Sequence, residues 1–236
     1  MTKRFGFTLA EVLITLGIIG VVAAMTIPTL IKNYQKTVWV NQLKKSVSIV
    51  EQGLKLAMAE DEVDNLKDTE LFKSIGDENL GEGGNKEEFL KKLKKYFNTI
   101  NTIDNYNNLK LTSKDYKNLN GTIIYEDGES TEFDDNFGVI TYLSDGTILL
   151  FDYACNPLYI NQCGLYIDVN GEKKPNQYGR DWFYFNISEN GKLVPVGNNG
   201  KWEKEKDNNK YVNCDNNSYG YGCAARIIEN GWKMDY

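Results

Sequence analysis

The chain has 236 residues, 27 Lys and Arg against 33 Asp and Glu, a formal net charge of -6, and no histidine. The acidic balance argues against a broad phosphate-binding face, and so against nucleic acid as a partner. Without histidine, imidazole acid–base chemistry, the Ser-His-Asp and Cys-His arrangements and the commonest zinc sites are excluded, which points away from an enzyme. Apolar character is concentrated at the start. Lys3 and Arg4 open a run in which Glu11 is the only charge before Lys32. From Val12 to Ile31 there are 20 uncharged residues, about 30 Å of helix, which matches the hydrocarbon thickness of a bilayer. Basic residues ahead of such a run favour a cytoplasmic start and an exported remainder.

A plain membrane anchor explains that length but not Glu11, because a carboxylate in hydrocarbon is costly and such residues usually have a function. A secretory signal cut after Val22-Ala23-Ala24 would not normally carry a glutamate inside its apolar core. The order itself is more specific: basic leader, Gly6, Phe7, Thr8, Leu9, Glu11, then some twenty apolar residues, with Pro28 near their end. The segment "KRFGFTLAEVLITLGIIGVVAAMTIPTL" resembles the N-terminus of type IV pilins and type II secretion pseudopilins. The resemblance is tight over residues 3 to about 34 and looser beyond. It implies a leader of residues 1–6, removed by a prepilin peptidase after Gly6. It also implies N-methylation of Phe7 and an assembly role for Glu11, paired with the amino terminus of a neighbouring subunit. Each charge is costly in lipid alone; paired, each offsets much of the other's burial and fixes the axial register. Further implied partners are an inner-membrane assembly platform, membrane lipid and other pilin-like subunits. The implied location is the bacterial cytoplasmic membrane with the head outside the cytoplasm, then a filament.

Beyond Ile31 the helical period continues. Val38 or Trp39, Leu43, Val47, Val50, Leu54 and Ala57 or Met58 recur at three- and four-residue steps, with Lys36, Lys44, Lys45, Gln52 and Lys55 on other sides. This predicts one long helix over residues 7–60, with a transmembrane segment at about 9–31 and a kink rather than a break at Pro28, since no turn residues follow it. Residues 61–86 read as a loop or weak helix, and 87–97 as a short amphipathic helix. The Asn-rich stretches near 98–108 and 198–217 read as polar loops. "GTIIYE", "FGVITYL", "TILLFDY", "GLYIDV" and "DWFYFNI" read as strands between Asp-Gly and Asn-Gly turns, and "EDGESTEFDDN" at 126–136 as a solvated hairpin. Helix followed by strands predicts an α+β fold. An antiparallel sheet would pack on the outer half of the long helix, forming a head over residues 61–236. The pilin resemblance implies the same architecture.

The four cysteines, Cys155, Cys163, Cys214 and Cys223, contain no Cys-x-x-Cys pair, so a four-thiolate zinc site is ill served. In an exported domain an even count suggests disulfides, and local pairing, Cys155 with Cys163 and Cys214 with Cys223, is the expectation among three pairings. The alternative is four reduced thiols. Residues 166–197 resemble the loop segment of major pseudopilins in which Asp and Asn oxygens hold calcium. The candidates are Asp168, Asn170, Asn176 and Asp181, all hard oxygen donors. The segment is not an EF-hand loop, because Gly171 follows Asp168 by three residues and Gly179 stands at the twelfth position. The competing account is turn chemistry, with Asn170-Gly171 and Asn190-Gly191 in tight turns and Asp181 as a cap, and no cofactor at all. The functional expectation is a non-catalytic filament subunit. The alternatives are a minor tip pilin that binds DNA or a surface ligand, and a membrane-anchored binding module that never polymerises.

Overall fold

The computed structural model describes residues 8–80, 83–97, 99–103, 115–123, 137–152, 154–203 and 209–236. The chain divides into two compact units, residues 1–38 and 39–236. The helix α1 (Leu9–Glu60) contributes to both and runs unbroken through Pro28.

In the first unit the apolar side chains of α1 are turned outward, with Leu13, Ile14, Leu16, Ile18 and Ile19 each exposed by 60% or more. The hydroxyls in this stretch are turned inward on the helix itself. Thr15 Oγ1 donates to the Val12 carbonyl and Thr26 Oγ1 to the Val22 carbonyl, both at 2.9 Å. A helix that satisfies its own polar groups and offers only hydrocarbon to its surroundings is suited to lipid. By length and composition α1 can cross a membrane.

In the second unit the remaining turns of α1 bury Val40, Leu43, Ser46, Val50, Gly53, Leu54, Ala57 and Met58, a stripe at three- and four-residue spacing. After it come α2 (Glu70–Lys73) and α3 (Lys86–Tyr96). The caps are readable: Thr69 accepts from the Phe72 amide and Asn85 from the Glu88 amide. Then, among the described residues, six strands follow, β1 (Thr99–Ile103), β2 (Phe137–Leu143), β3 (Ile148–Asp152), β4 (Gly164–Asp168), β5 (Trp182–Ile187) and β6 (Leu193–Pro195), and α4 (Cys223–Glu229) comes last. The sheet order is the chain order, β1-β2-β3-β4-β5-β6, with every pair antiparallel.

Side chains alternate across the sheet as a period of two requires. Leu149, Phe151, Leu165, Ile167, Phe183 and Phe185 join α1, α2 and α3 in the main core. On the other face Ile140, Ile148, Leu150 and Trp182 meet Tyr116 and Tyr178, with Tyr142, Tyr166, Tyr184 and Tyr221 packed around them. Polar contacts fix how the helix crosses the sheet. Lys45 pairs with Asp145 in the β2–β3 turn at 2.8 Å, and the Glu51 carboxylate accepts the Leu193 amide of β6 at 3.0 Å.

The α+β architecture expected from the order of the elements is the one observed. Four of the expected strands are β2 to β5. The expectation of a polar loop near 98–108 is corrected: Thr99–Ile103 is a strand, because an edge strand paired to β2 by backbone needs no apolar run. "GTIIYE" does not form a named strand in its described part; Ile123 makes a single bridge with Lys117, and its remainder lies outside the described residues, as does the segment 126–136. The segment 61–86 holds a 3-10 turn at Leu66–Asp68 and then α2.

Candidate functional site

Two places in the chain gather the residues singled out by sequence. The first is the start of α1. Gly6 and Phe7 lie outside the described residues. Glu11 sits in the first turn, where its Oε2 accepts both the Thr8 amide at 2.7 Å and the Thr8 hydroxyl at 2.8 Å. The Glu11 amide in turn donates to Thr8 Oγ1 at 3.2 Å. This is a reciprocal capping box: two donors left over at the helix start are satisfied by the Thr8–Glu11 pair. The resemblance to pilins does not bring out this local role of Glu11, although Thr-x-x-Glu ahead of an apolar run is its signature. Glu11 therefore does two things at once. It closes the first turn of its own helix, and it keeps a carboxylate at the head of an outward-facing apolar surface.

The second place lies between the end of β4 and the start of β5, where Asp168, Asn170, Asn176 and Asp181 come together. Asp168 and Asp181 are both fully buried. Two carboxylates taken from water beside one another resist ionising together. Burial, with Asp181 as the next cause, holds Asp168 well above the usual carboxylate range, and burial pushes Asp181 up to about 6 despite several amide donors. Tyr116 donates its hydroxyl to Asp168 Oδ2 at 2.9 Å. The amide of Asn170 lies 3.3 Å from Asp168 Oδ1. The amides of Asn176 and Gln177 donate to the two oxygens of Asp181 at 2.9 and 2.8 Å.

The turn account therefore has direct support, since Asp181 organises the 176–181 loop through two amides, and Asn176 and Gly171 hold positive φ of 52° and 69°. It leaves two things unexplained. Among the described residues, the groups that shift either carboxyl most include no cation. In addition, Asn170 Oδ1 and Asn176 Oδ1 are buried with no hydrogen-bond partner, although Asn176 as a whole is 1% exposed. Buried acceptors are nearly always paired, and each exception calls for a reason. The two carboxylates and the two unpaired amide oxygens are hard oxygens, the ligand type that calcium takes. Among the described residues, no group of three or more His, Cys, Asp or Glu could hold a metal; this set has only two such members.

The cysteines form two local disulfides, Cys155–Cys163 and Cys214–Cys223, all four sulfurs lying in buried residues. The first closes the loop between β3 and β4. The second ties the start of α4 to the loop before it.

Comparison with known proteins singles out the N-terminus. Residues 1–27 match the model of the prokaryotic N-terminal methylation motif. That motif is the signature of type IV pilins and pseudopilins. It marks a structural family rather than an enzyme family, and it implies processing by a prepilin peptidase and assembly with other subunits. The apolar helix that carries it fits membrane anchoring. No curated protein and no solved structure matches the chain.

Proposed function

We propose that this protein is a structural subunit, pilin or pseudopilin, of a type IV pilus or type II secretion-like filament. In this reading the leader 1–6 is cut after Gly6, Phe7 is methylated, α1 enters the membrane and then the filament, and the head lies outside the cytoplasm. The observation that carries it is the methylation motif fused to a helix whose first half exposes hydrocarbon on all sides while Glu11 stands at its head. The apolar surface needs other helices or lipid to cover it. The carboxylate needs a cation, for which the amino group of a neighbouring Phe7 is the right charge.

The test must separate charge pairing from capping. Glu11→Gln keeps a side-chain oxygen for the Thr8 amide and removes the charge, whereas Glu11→Val removes both. Both variants should insert in the membrane, and both should be missing from sheared filaments when compared by fractionation with the mature membrane pool. Normal incorporation of Glu11→Gln would reduce the carboxylate to a cap. Normal incorporation of both would return the chain to a membrane-anchored module that does not polymerise.

A second reading is favoured by the unpaired oxygens of Asn170 and Asn176. Asp168, Asn170, Asn176 and Asp181 would hold one calcium ion, whose double charge would let both carboxyls ionise together and would give both amide oxygens a partner.

A further inference from the structure

The aromatic face of the sheet carries a carboxyl at its other end. Asp152 closes β3. Phe151 belongs to the main core, so the alternation of the strand turns Asp152 to the opposite face, with Leu150 and the tyrosines. Leu150, Tyr166 and Tyr184 form one row across β3, β4 and β5. The register that pairs Phe151 with Leu165 sets Asp152 beside Gly164, one row further on. Both tyrosines lean toward that row. The Tyr166 hydroxyl is hydrogen-bonded to the Asp152 carboxyl, and the Tyr184 hydroxyl lies over Gly164, where a Cβ would collide with it. Tyr221, from the loop closed by Cys214–Cys223, completes the corner, its ring 5.9 Å from that of Tyr184. Asp152, Tyr184 and Tyr221 are each only partly buried, and Tyr211 at the rim is 59% exposed.

The corner is negative and lacks a counter-charge. Burial holds Asp152 above the ordinary aspartate range, and its bonds from the Ala154 amide and Tyr166 offset that only in part. After burial, Asp152 itself is among the causes that raise the hydroxyls of Tyr184 and Tyr221. Among the described residues, the groups that shift these three most include no lysine or arginine. Elsewhere in the head the basic side chains do stand over rings. Lys44 covers Trp232, Lys95 covers Tyr96, Arg180 covers Tyr236, and Arg226 covers Trp202 and Tyr236, at 4.8 to 5.6 Å from the ring centres. Among the described residues, no such contact falls on Tyr184 or Tyr221.

We propose that this corner binds a lysine side chain on a basic, extended segment of another protein, with Asp152 as the counter-charge and the rings of Tyr184 and Tyr221 beside the ammonium group. A cation beside tyrosine rings is attracted by their negative faces, and more so where water is partly excluded. The four methylenes of lysine suit the apolar bodies of the rings while the ammonium reaches the carboxyl. A divalent metal is a poor occupant, because it needs several oxygens and a single carboxyl stands here. Anions are repelled by Asp152. The corner is shallow, so one ammonium group gains little alone, and neighbouring basic residues of the same segment add long-range attraction to a chain of net charge -6. A carboxyl drawn partly from water with no cation beside it is what a charged partner would complete. This inference is independent of both the filament and the calcium readings.

The experiment uses the full chain in detergent with both disulfides intact, titrated calorimetrically with pentalysine and with pentalysine acetylated on every amine. Pentalysine should bind at pH 7, and the acetylated peptide should not. Asp152→Asn should weaken binding at least tenfold. Glu62→Gln, which removes one exposed charge just past the end of α1, should change it less than twofold. Tyr221→Leu should weaken it at least threefold. Melting curves accompany each variant, and Asp152→Asn is expected to fold at least as well as the native chain, so its loss of binding would not report unfolding. Should Tyr221→Leu fail to fold, the comparison of Asp152→Asn with Glu62→Gln decides alone. Equal weakening by those two variants would overturn the site and leave only general attraction to an acidic chain. Absence of pentalysine binding, or equal binding of the acetylated peptide, would overturn it as well. Native affinity in a folded Tyr221→Leu would remove the rings from the site and with them the proposal as stated.

Discussion

Asp152 closes β3 with its carboxyl drawn out of water, and burial raises it above the ordinary aspartate range even though Ala154 donates an amide to it at 3.0 Å. The folded chain therefore holds that proton more tightly than the unfolded chain does. The group is harmless to stability below the unfolded value. It becomes a liability as pH rises through the higher folded value. Asp152→Asn keeps an oxygen for the Ala154 amide and cannot ionise. The expected outcome is a higher melting temperature than the native chain at pH 7 and no difference at pH 3; a lower melting temperature at pH 7 would mean that the charged hydrogen bonds outweigh the burial. Single residues also mark what sequence can and cannot disclose. Thr8 and Glu11 stand at the spacing of a capping box, so that role was readable. The oxygens of Asp168, Asn170, Asn176 and Asp181 were readable as a group within one segment. That Tyr116 would bring a hydroxyl to Asp168 from 52 residues away, or that two amide oxygens would be left unpaired, depends on the fold and leaves no local pattern.

In α1 a single periodic pattern serves two environments. Its first half is apolar all round, and its second half is apolar along one stripe, so the change from uniform to one-sided hydrophobicity shows where the protein interior takes over. Leu54 lies at the centre of that stripe and is wholly buried, while Gly53 next to it receives the ring of Phe97, which a Cβ would meet at 2.5 Å. Leu54→Ala should destabilise the head by roughly 2–5 kcal/mol, the cost of lost burial plus a residual cavity. Chemical denaturation of the chain in detergent would check this, and a change below about 1 kcal/mol would show that the helix is only loosely seated. The strands divide along the same physical line. β2 to β5 face a core on one side and an aromatic layer on the other, so β-branched and aromatic residues fill them and make them legible. β1, "TINTI", and the three-residue β6 lie at the two edges of the sheet. Their pairing rests on backbone hydrogen bonds that nearly any residue can make, which is why neither stood out.

For the entire chain, the reading as a processed filament subunit has a direct chemical test. Co-expression with a prepilin peptidase should give a product that lacks residues 1–6 and carries a methylated Phe7, seen by intact mass. An uncut chain, or one cut after Ala24, would contradict it, and a bulky residue at position 6 should block the cut. The sheet adds a consequence of another kind. Because strand order in space is strand order in the chain, no strand has to be threaded between two already paired, and the partner on one side of each new strand has always been synthesised before it. α1, which supplies one wall of the core, comes earlier still. A chain that leaves the ribosome from its N-terminus, or passes a membrane pore as an extended thread, can therefore lay down this sheet one strand at a time in the sequence of emergence. Each addition closes only a loop to its predecessor, so the entropy of bringing distant parts together is met in small steps.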